Sequence, residues 1–344
     1  MTSLRGPIRV LIADDSMSMR EALKILLAAD GDIVVVGEAK DGAEAVSLAV
    51  QTAPDVITMD VLMPRLNGLE ATQRIMASAP SRILLVCAVG DEGGVDLSFR
   101  AMDVGALELI AKPTMQSLHA WGADLRQSVR LMAEVPVVRR WRSGPATTPS
   151  TMPPSFRVGV VGIAASTGGP PALASLLGRL PADFPTPIVI AQHMANGFVA
   201  GLHRWLTEVS ALPVQIARDG MMLARGAVYL APDGSDLELQ LGGALRVLPS
   251  ASHHTPSGDR LLESLARVYR TRALGVVLTG MGDDGTRGLA AIRAAGGHTI
   301  AQDEASSVVF GMPKAAATAG VVDQMVSLSA MPALILDLVG KERA

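Results

Sequence analysis

Val158-Gly159-Val160-Val161-Gly162-Ile163-Ala164-Ala165-Ser166-Thr167-Gly168-Gly169-Pro170-Pro171 combines an apolar run long enough for a buried strand, one hydroxyl, and a glycine–proline entry into a helix. Glycines let other backbone approach closely, and a proline in the first helical turn loses only an amide that has no intrahelical partner. Ser166 therefore falls where amides at a helix N-terminus stabilise an anion. The pattern suits a serine nucleophile, and equally a phosphate-binding glycine loop. The rest of the chain decides between them.

A second apolar run, Pro187-Ile188-Val189-Ile190-Ala191-Gln192, stops at His193. A third, Leu274-Gly275-Val276-Val277-Leu278-Thr279, stops at Gly280-Met281-Gly282-Asp283-Asp284-Gly285 and leads into another helical pattern. Three strands thus end in a hydroxyl, an imidazole and a carboxylate, and in a largely parallel sheet those ends share one rim. Acyl transfer needs this set: a nucleophile, a base for its proton, and an acid that orients the imidazole. The order Ser…His…Asp differs from that of α/β-hydrolases, and the turn is not G-x-S-x-G, which points to another scaffold. Spacing does not choose between Asp283 and Asp284. Of the six histidines, His119 and His203 lie in helical patterns and read as surface residues, and His298 opens a strand and reads as structural. His253 and His254 occupy a polar loop where substrate contact is open, and His193 is favoured because it ends a buried strand. No His/Cys/acid set has metal-ligand spacing here, and no G-x-G-x-x-G supports a dinucleotide.

The chain has 344 residues, enough for two cores. With 49% hydrophobic but only 3% aromatic residues, those cores are built of Val, Leu, Ile and Ala, as in parallel sheets covered on both faces. The single cysteine, Cys87, excludes an internal disulfide framework and fits the cytoplasm. No uncharged apolar stretch approaches the ~20 residues that span a bilayer, so no membrane insertion is expected. A net charge of −3 offers no electrostatic case for nucleic acid. Between Pro136 and Ser155, five prolines and the cluster Arg139-Arg140-Trp141-Arg142 interrupt every hydrophobic period. This reads as a linker with a reach of roughly 25 Å. The expected organisation is a first domain at 6–133, a linker at 134–156 and a second domain at 157–338.

In the first domain, apolar runs at Ile8–Ala13, Ile33–Val36, Val56–Met59, Ile83–Cys87 and Leu107–Ala111 alternate with helices beginning near Ser16, Gly42, Gly68, Glu92 and Thr114. The alternation predicts a parallel α/β sheet with right-handed crossovers. Asp14 and Asp15 end the first strand, Asp60 the third and Lys112 the fifth, so three acids and a lysine meet at one sheet edge. Such a cluster suits Mg²⁺, which takes a few carboxylates and a phosphoryl oxygen. Asp60 is the expected nucleophile toward phosphorus, with the metal and Lys112 spreading the charge of the transferring group. Asp41, Asp91 and Glu92 read as helix caps or loop charges.

On Asp14-Asp15, Asp60-x-x-Met63-Pro64-x-x-x-Gly68 and Lys112-Pro113, this domain resembles the receiver domain of bacterial response regulators, a flavodoxin-like fold. The resemblance implies phosphorylation of Asp60 by a sensor histidine kinase, with Mg²⁺ held by Asp15, Asp60 and the Leu62 carbonyl. Two positions depart from the pattern. Cys87 stands where receivers carry a Ser or Thr hydroxyl that answers the phosphate, and Leu109 stands in place of an aromatic residue.

Residues 158–335 resemble the catalytic domain of the chemotaxis protein-glutamate methylesterases. The matching motifs are Gly162-x-x-x-Ser166-Thr167-Gly168-Gly169-Pro170, Gln192-His193-Met194, Val228-Tyr229-Leu230-Ala231-Pro232, Leu278 to Gly285, and Val309-Phe310-Gly311-Met312-Pro313. This implies a larger, largely parallel α/β catalytic domain without a cofactor. Ser166 would be its nucleophile, His193 its base and Asp284 its orienting acid, with oxyanion contacts near Thr167 and Met281. The expected reaction removes methyl esters from glutamates of methylated chemoreceptors, deamidates receptor glutamines, and is switched on by phosphorylation. The alternatives are a non-catalytic switch and an esterase or amidase for another protein. Gly258-Asp259-Arg260 and Asp236 depart from the family pattern, which has an apolar-Asp-apolar segment and a histidine there.

Overall fold

The structure is a computed structural model that describes residues 6–89, 92–113, 117–135, 158–250 and 255–340. These fall into two compact units, one within residues 1–141 and the other within 142–344. The expected linker beyond Val135, the helix start at Thr114, Asp91, His253 and His254 lie outside the described residues.

The first unit runs β1 (Ile8–Ala13), α1 (Met17–Ala28), β2 (Ile33–Ala39), α2 (Gly42–Thr52), β3 (Val56–Asp60), α3 (Gly68–Ser78), β4 (Arg82–Cys87), α4 (Glu92–Asp103), β5 (Glu108–Ala111) and α5 (Leu118–Glu134). Its strands are parallel, in the order β2-β1-β3-β4-β5. Every residue of β3 is buried, as a strand covered on both faces requires. Ser16, Asp41 and Asn67 start α1, α2 and α3 by accepting amides of the first turn, a cap worth about 1 kcal/mol each. The chain passes from β1 outward to β2 and returns to β3 on the other side. The crevice beyond the β1 and β3 ends is therefore the switch point where such sheets bind ligands. β2 runs three residues past its expected end at Val36, because Glu38 breaks the apolar pattern yet stays in the strand, paired with Lys24 at 2.8 Å.

The second unit runs β6 (Val160–Ala165), α6 (Gly169–Leu177), β7 (Ile188–Gln192), α7 (Val199–Val209), β8 (Val214–Ile216), β9 (Val228–Leu230), β10 (Ser235–Leu239), β11 (Leu245–Pro249), α8 (Gly258–Tyr269), β12 (Ala273–Val277), α9 (Thr286–Ala294), β13 (His298–Gln302), α10 (Met312–Thr318), β14 (Gln324–Val326) and α11 (Met331–Val339). Seven parallel strands form one sheet, β14-β13-β12-β6-β7-β9-β8. β6, β7, β12 and β13 are buried throughout. The winding reverses between β6 and β12, again placing a crevice at their C-terminal ends. β10 and β11 form a separate antiparallel hairpin, whose Leu237, Leu239 and Leu245 share a core with Leu261, Leu262 and Leu265 of α8. β12 stops at Val277 rather than Thr279, since the Thr279 amide bonds the Gln302 side chain instead of a neighbouring strand. Among the described residues no helix is long and apolar enough to cross a membrane.

Candidate active site

β6 and β7 pair in the register Ala165↔Gln192, so Ser166 and His193 leave adjacent strand ends side by side. The His193 amide donates to the Ala165 carbonyl at 2.8 Å, and the Ser166 amide donates to the Thr279 carbonyl beyond β12 at 3.1 Å. Three strand exits are thereby stitched together at the crevice. Past Ser166 the chain turns on Gly168, whose φ of 74° is left-handed, and enters α6 through Pro170.

His193 Nε2 lies 2.7 Å from Asp284 Oδ2. The carboxylate also accepts the amides of Gly258 at 2.6 Å, Asp259 at 2.8 Å and Gly285 at 3.0 Å. Two of these amides open α8, whose positive end faces the acid. Ser257 caps that helix by accepting the Arg260 amide at 3.2 Å. Burial pushes the Asp284 carboxyl up, but His193 and the Asp259 and Gly258 amides outweigh it and hold the group below the ordinary carboxylate range. An ionised Asp284 therefore fixes the imidazole by Nε2. The structure brings Asp284 to His193; Asp283 instead offers its carbonyl to Thr286 at the start of α9.

Thr167 is buried directly after Ser166, and Met281 follows Gly280 in the loop beyond β12. Gly280 is clamped by the segment before α10: it donates to the Val309 carbonyl, and its own carbonyl accepts the Gly311 and Met312 amides. The motif Val309 to Pro313 thus holds the loop that carries Met281. Sequence reasoning gave no role to Gln192, whose Nε2 donates to the carbonyls of both Ser166 (2.9 Å) and His193 (2.8 Å). Its signal was a polar residue closing an otherwise apolar strand. Of the other histidines, His119 is exposed and His298 is buried beside Asp323 at the start of β13. His203 is half-buried rather than on the surface, because its Nε2 bonds the Val214 carbonyl on β8.

In the first unit, Asp14, Asp15 and Asp60 can bring carboxylate oxygens within 4.8 Å of one another. Lys112 Nζ lies 2.7 Å from Asp60 Oδ2 and 2.9 Å from Asp14 Oδ2. Burial, joined by the charge of Asp14, pushes the Asp60 carboxyl up despite Lys112 and the Leu62 amide. Burial pulls Lys112 down, but Asp60 and Asp14 hold it above its usual value. Three acids against one lysine leave the cluster short of positive charge. A donor set made wholly of carboxylate oxygens fits Mg²⁺. Cys87 ends β4, and its carbonyl accepts the Lys112 amide at 2.7 Å. Leu109 pairs with Leu85 from the edge strand β5, where it is half-buried.

Residues 161–335 match the family model of the CheB methylesterase, and residues 10–121 match that of the response regulator receiver domain. A protein-glutamate methylesterase/protein-glutamine glutaminase of Myxococcus xanthus is 53% identical over 337 residues, covering 97% of this chain and 94% of that protein. One from Anaeromyxobacter dehalogenans is 42% identical, covering 94% and 97%. The crystal structure of the Thermotoga maritima CheB methylesterase catalytic domain superposes with a TM-score of 0.50 and 36% identity, covering 53% of this chain and 97% of that domain.

Proposed function

The chain belongs to the CheB methylesterase family, with a receiver domain in front, and from that premise we propose how its residues divide the work. The enzyme is a protein-glutamate methylesterase and protein-glutamine glutaminase of a chemotaxis response regulator. We take its parts as a receiver at 6–133, a linker at 134–156 and a catalytic domain at 157–338, working in the cytoplasm on methylated chemoreceptors.

The observation that carries the reading is the His193 Nε2–Asp284 Oδ2 contact of 2.7 Å, made beside the strand end that presents Ser166. Because Asp284 holds Nε2, Nδ1 is the nitrogen that takes the Ser166 proton. Ser166 Oγ then attacks the γ-carbonyl of the methylated glutamate. The oxyanion is stabilised by main-chain amides near Thr167 and Met281, each such donor being worth about 3–4 kcal/mol. The imidazolium returns its proton to the departing methoxide, and methanol leaves an acyl-enzyme. Water, deprotonated by the same nitrogen, attacks the acyl carbon and releases glutamate with Ser166 restored. A glutamine follows the same path and releases ammonia.

In the receiver, Asp60 takes a phosphoryl group from a sensor histidine kinase. Asp14, Asp15, Asp60 and the Leu62 carbonyl would hold Mg²⁺, which supplies charge neutralisation for phosphoryl transfer. Lys112 already sits on Asp60 and is placed to meet the phosphate, while Cys87 offers it a thiol, a weaker donor than a hydroxyl. Phosphorylation raises the esterase rate.

Alanine substitution of Ser166 tests the assignment. S166A should keep the wild-type circular dichroism spectrum and lose at least about 10³-fold in turnover; wild-type turnover in S166A removes Ser166 as nucleophile.

A further inference from the structure

Thr279 is fully buried beyond the end of β12, and each of its polar groups is engaged. Its amide donates to Gln302 Oε1 at 2.8 Å, and its carbonyl accepts the Ser166 amide at 3.1 Å. Its Oγ1 donates to the Thr167 carbonyl at 2.9 Å and accepts the Val309 amide at 2.9 Å. Gln302 is itself held by the Ser306 carbonyl, which roots the arrangement in β13.

The partners are not a random set. Thr167 follows the nucleophile, while Val309 grips Gly280, the residue before Met281. One hydroxyl therefore ties the turn carrying Thr167 to the loop carrying Met281. Filling space does not require it, since valine occupies the same volume. A buried hydroxyl costs free energy unless both its partners are in place, so it favours one relative placement of the two segments. Oxyanion donors act within about 2.7–3.1 Å of the developing charge, a narrow window that such a tie can enforce.

We propose that Thr279 is a positioning residue for this esterase: its hydroxyl sets the spacing between the Thr167 and Met281 segments that face the oxyanion. The inference rests on the reading that those segments stabilise the tetrahedral intermediate. Its effect belongs to the transition state, so it appears in kcat and in affinity for a tetrahedral adduct rather than in KM.

The test uses the full chain, with p-nitrophenyl acetate as substrate and phenylboronic acid, which forms a tetrahedral anionic adduct on serine, as inhibitor. Rates are referred to folded protein by circular dichroism. T279V should lose about 10- to 100-fold in kcat with KM unchanged, and its boronate affinity should weaken by the same factor. T279S, which keeps the hydroxyl, should recover both. If T279V does not fold, T279A carries the same comparison. Wild-type kcat and boronate affinity in T279V, a loss confined to KM, or a T279S as impaired as T279V would each overturn the proposal while leaving the oxyanion reading in place. A wild-type enzyme that hydrolyses the ester but binds boronate no tighter than substrate would remove that reading and this inference together.

Discussion

Gly280 sits where a single methyl group should separate catalysis from folding. A Cβ built there lies 2.4 Å from Met312 Sδ, 2.6 Å from Ser166 Cβ and 3.0 Å from the Ser166 amide nitrogen. Carbon atoms pack at about 3.5–4 Å, so Ser166 must retreat by about 1 Å in G280A. The thioether of Met312 can bend away, but Ser166 is pinned through its amide to the Thr279 carbonyl. A misplacement of about 1 Å costs about 10²-fold in rate. Overpacking costs about 1–3 kcal/mol, or about 2–12 °C in Tm for a domain of this size. The control is G275A, four residues before the end of the apolar run, whose methyl would meet Leu289 Cδ2 at 2.6 Å and Ile292 Cδ1 at 2.7 Å. It should lower Tm comparably while keeping wild-type turnover per folded molecule. Ester hydrolysis and thermal melts of both variants provide the assay. If G280A turns over like wild type, or if G275A loses turnover equally, Ser166 is not held in register by its contact with residue 280.

D284N should lower kcat by about 10³–10⁴-fold, since the amide no longer favours the required imidazole tautomer and charge. The Asp284 carboxyl is held low in the folded protein, so its stabilisation is complete above the ordinary carboxylate range and is lost as pH falls through the lowered value. The Tm gap between wild type and D284N should accordingly be widest near neutral pH and close in acid. Asp60 has the opposite sign. Its raised value, set chiefly by burial, means that stability falls as pH rises from the ordinary carboxylate range through the raised value. D60N should lack this fall, read from melts of both proteins across that range. Mg²⁺ at about a hundred times its Kd should add about 2.7 kcal/mol to wild type and distinctly less to D60N, read by melts with and without chelator.

The elements that carry chemistry were legible because their strands are buried on both faces and end abruptly in reactive groups. Ser166 and His193 emerge at paired strand ends, as their positions after apolar runs imply. Asp284 lies seven residues beyond β12, so period and spacing leave it level with Asp283. The contacts with His193 and with the amides at the start of α8, both remote in sequence, distinguish the two. The β10–β11 hairpin escaped the same reasoning because Ser235-Asp236-Leu237-Glu238-Leu239 is short and half polar, and it becomes a strand by packing on α8. Gln192, Thr279 and Gln302 look like ordinary polar residues at strand ends, and their significance lies wholly in which carbonyls and amides they reach. Asp236 and Arg260, both departures from the family pattern, face each other at 3.2 Å, and Asp236 also accepts the Ser257 amide that leads into α8. In the receiver, strand ends alone were enough to gather Asp14, Asp15, Asp60 and Lys112, because all four follow the C-terminal edge of one parallel sheet.

The most direct test of the account is methanol release from chemoreceptor membranes carrying labelled methyl esters, measured with the full chain before and after acetyl phosphate and Mg²⁺. The account predicts release that rises on phosphorylation, that loses this rise in D60N, and that is absent in S166A. Release that persists in S166A, or that fails to respond to phosphorylation in the wild type, would contradict it.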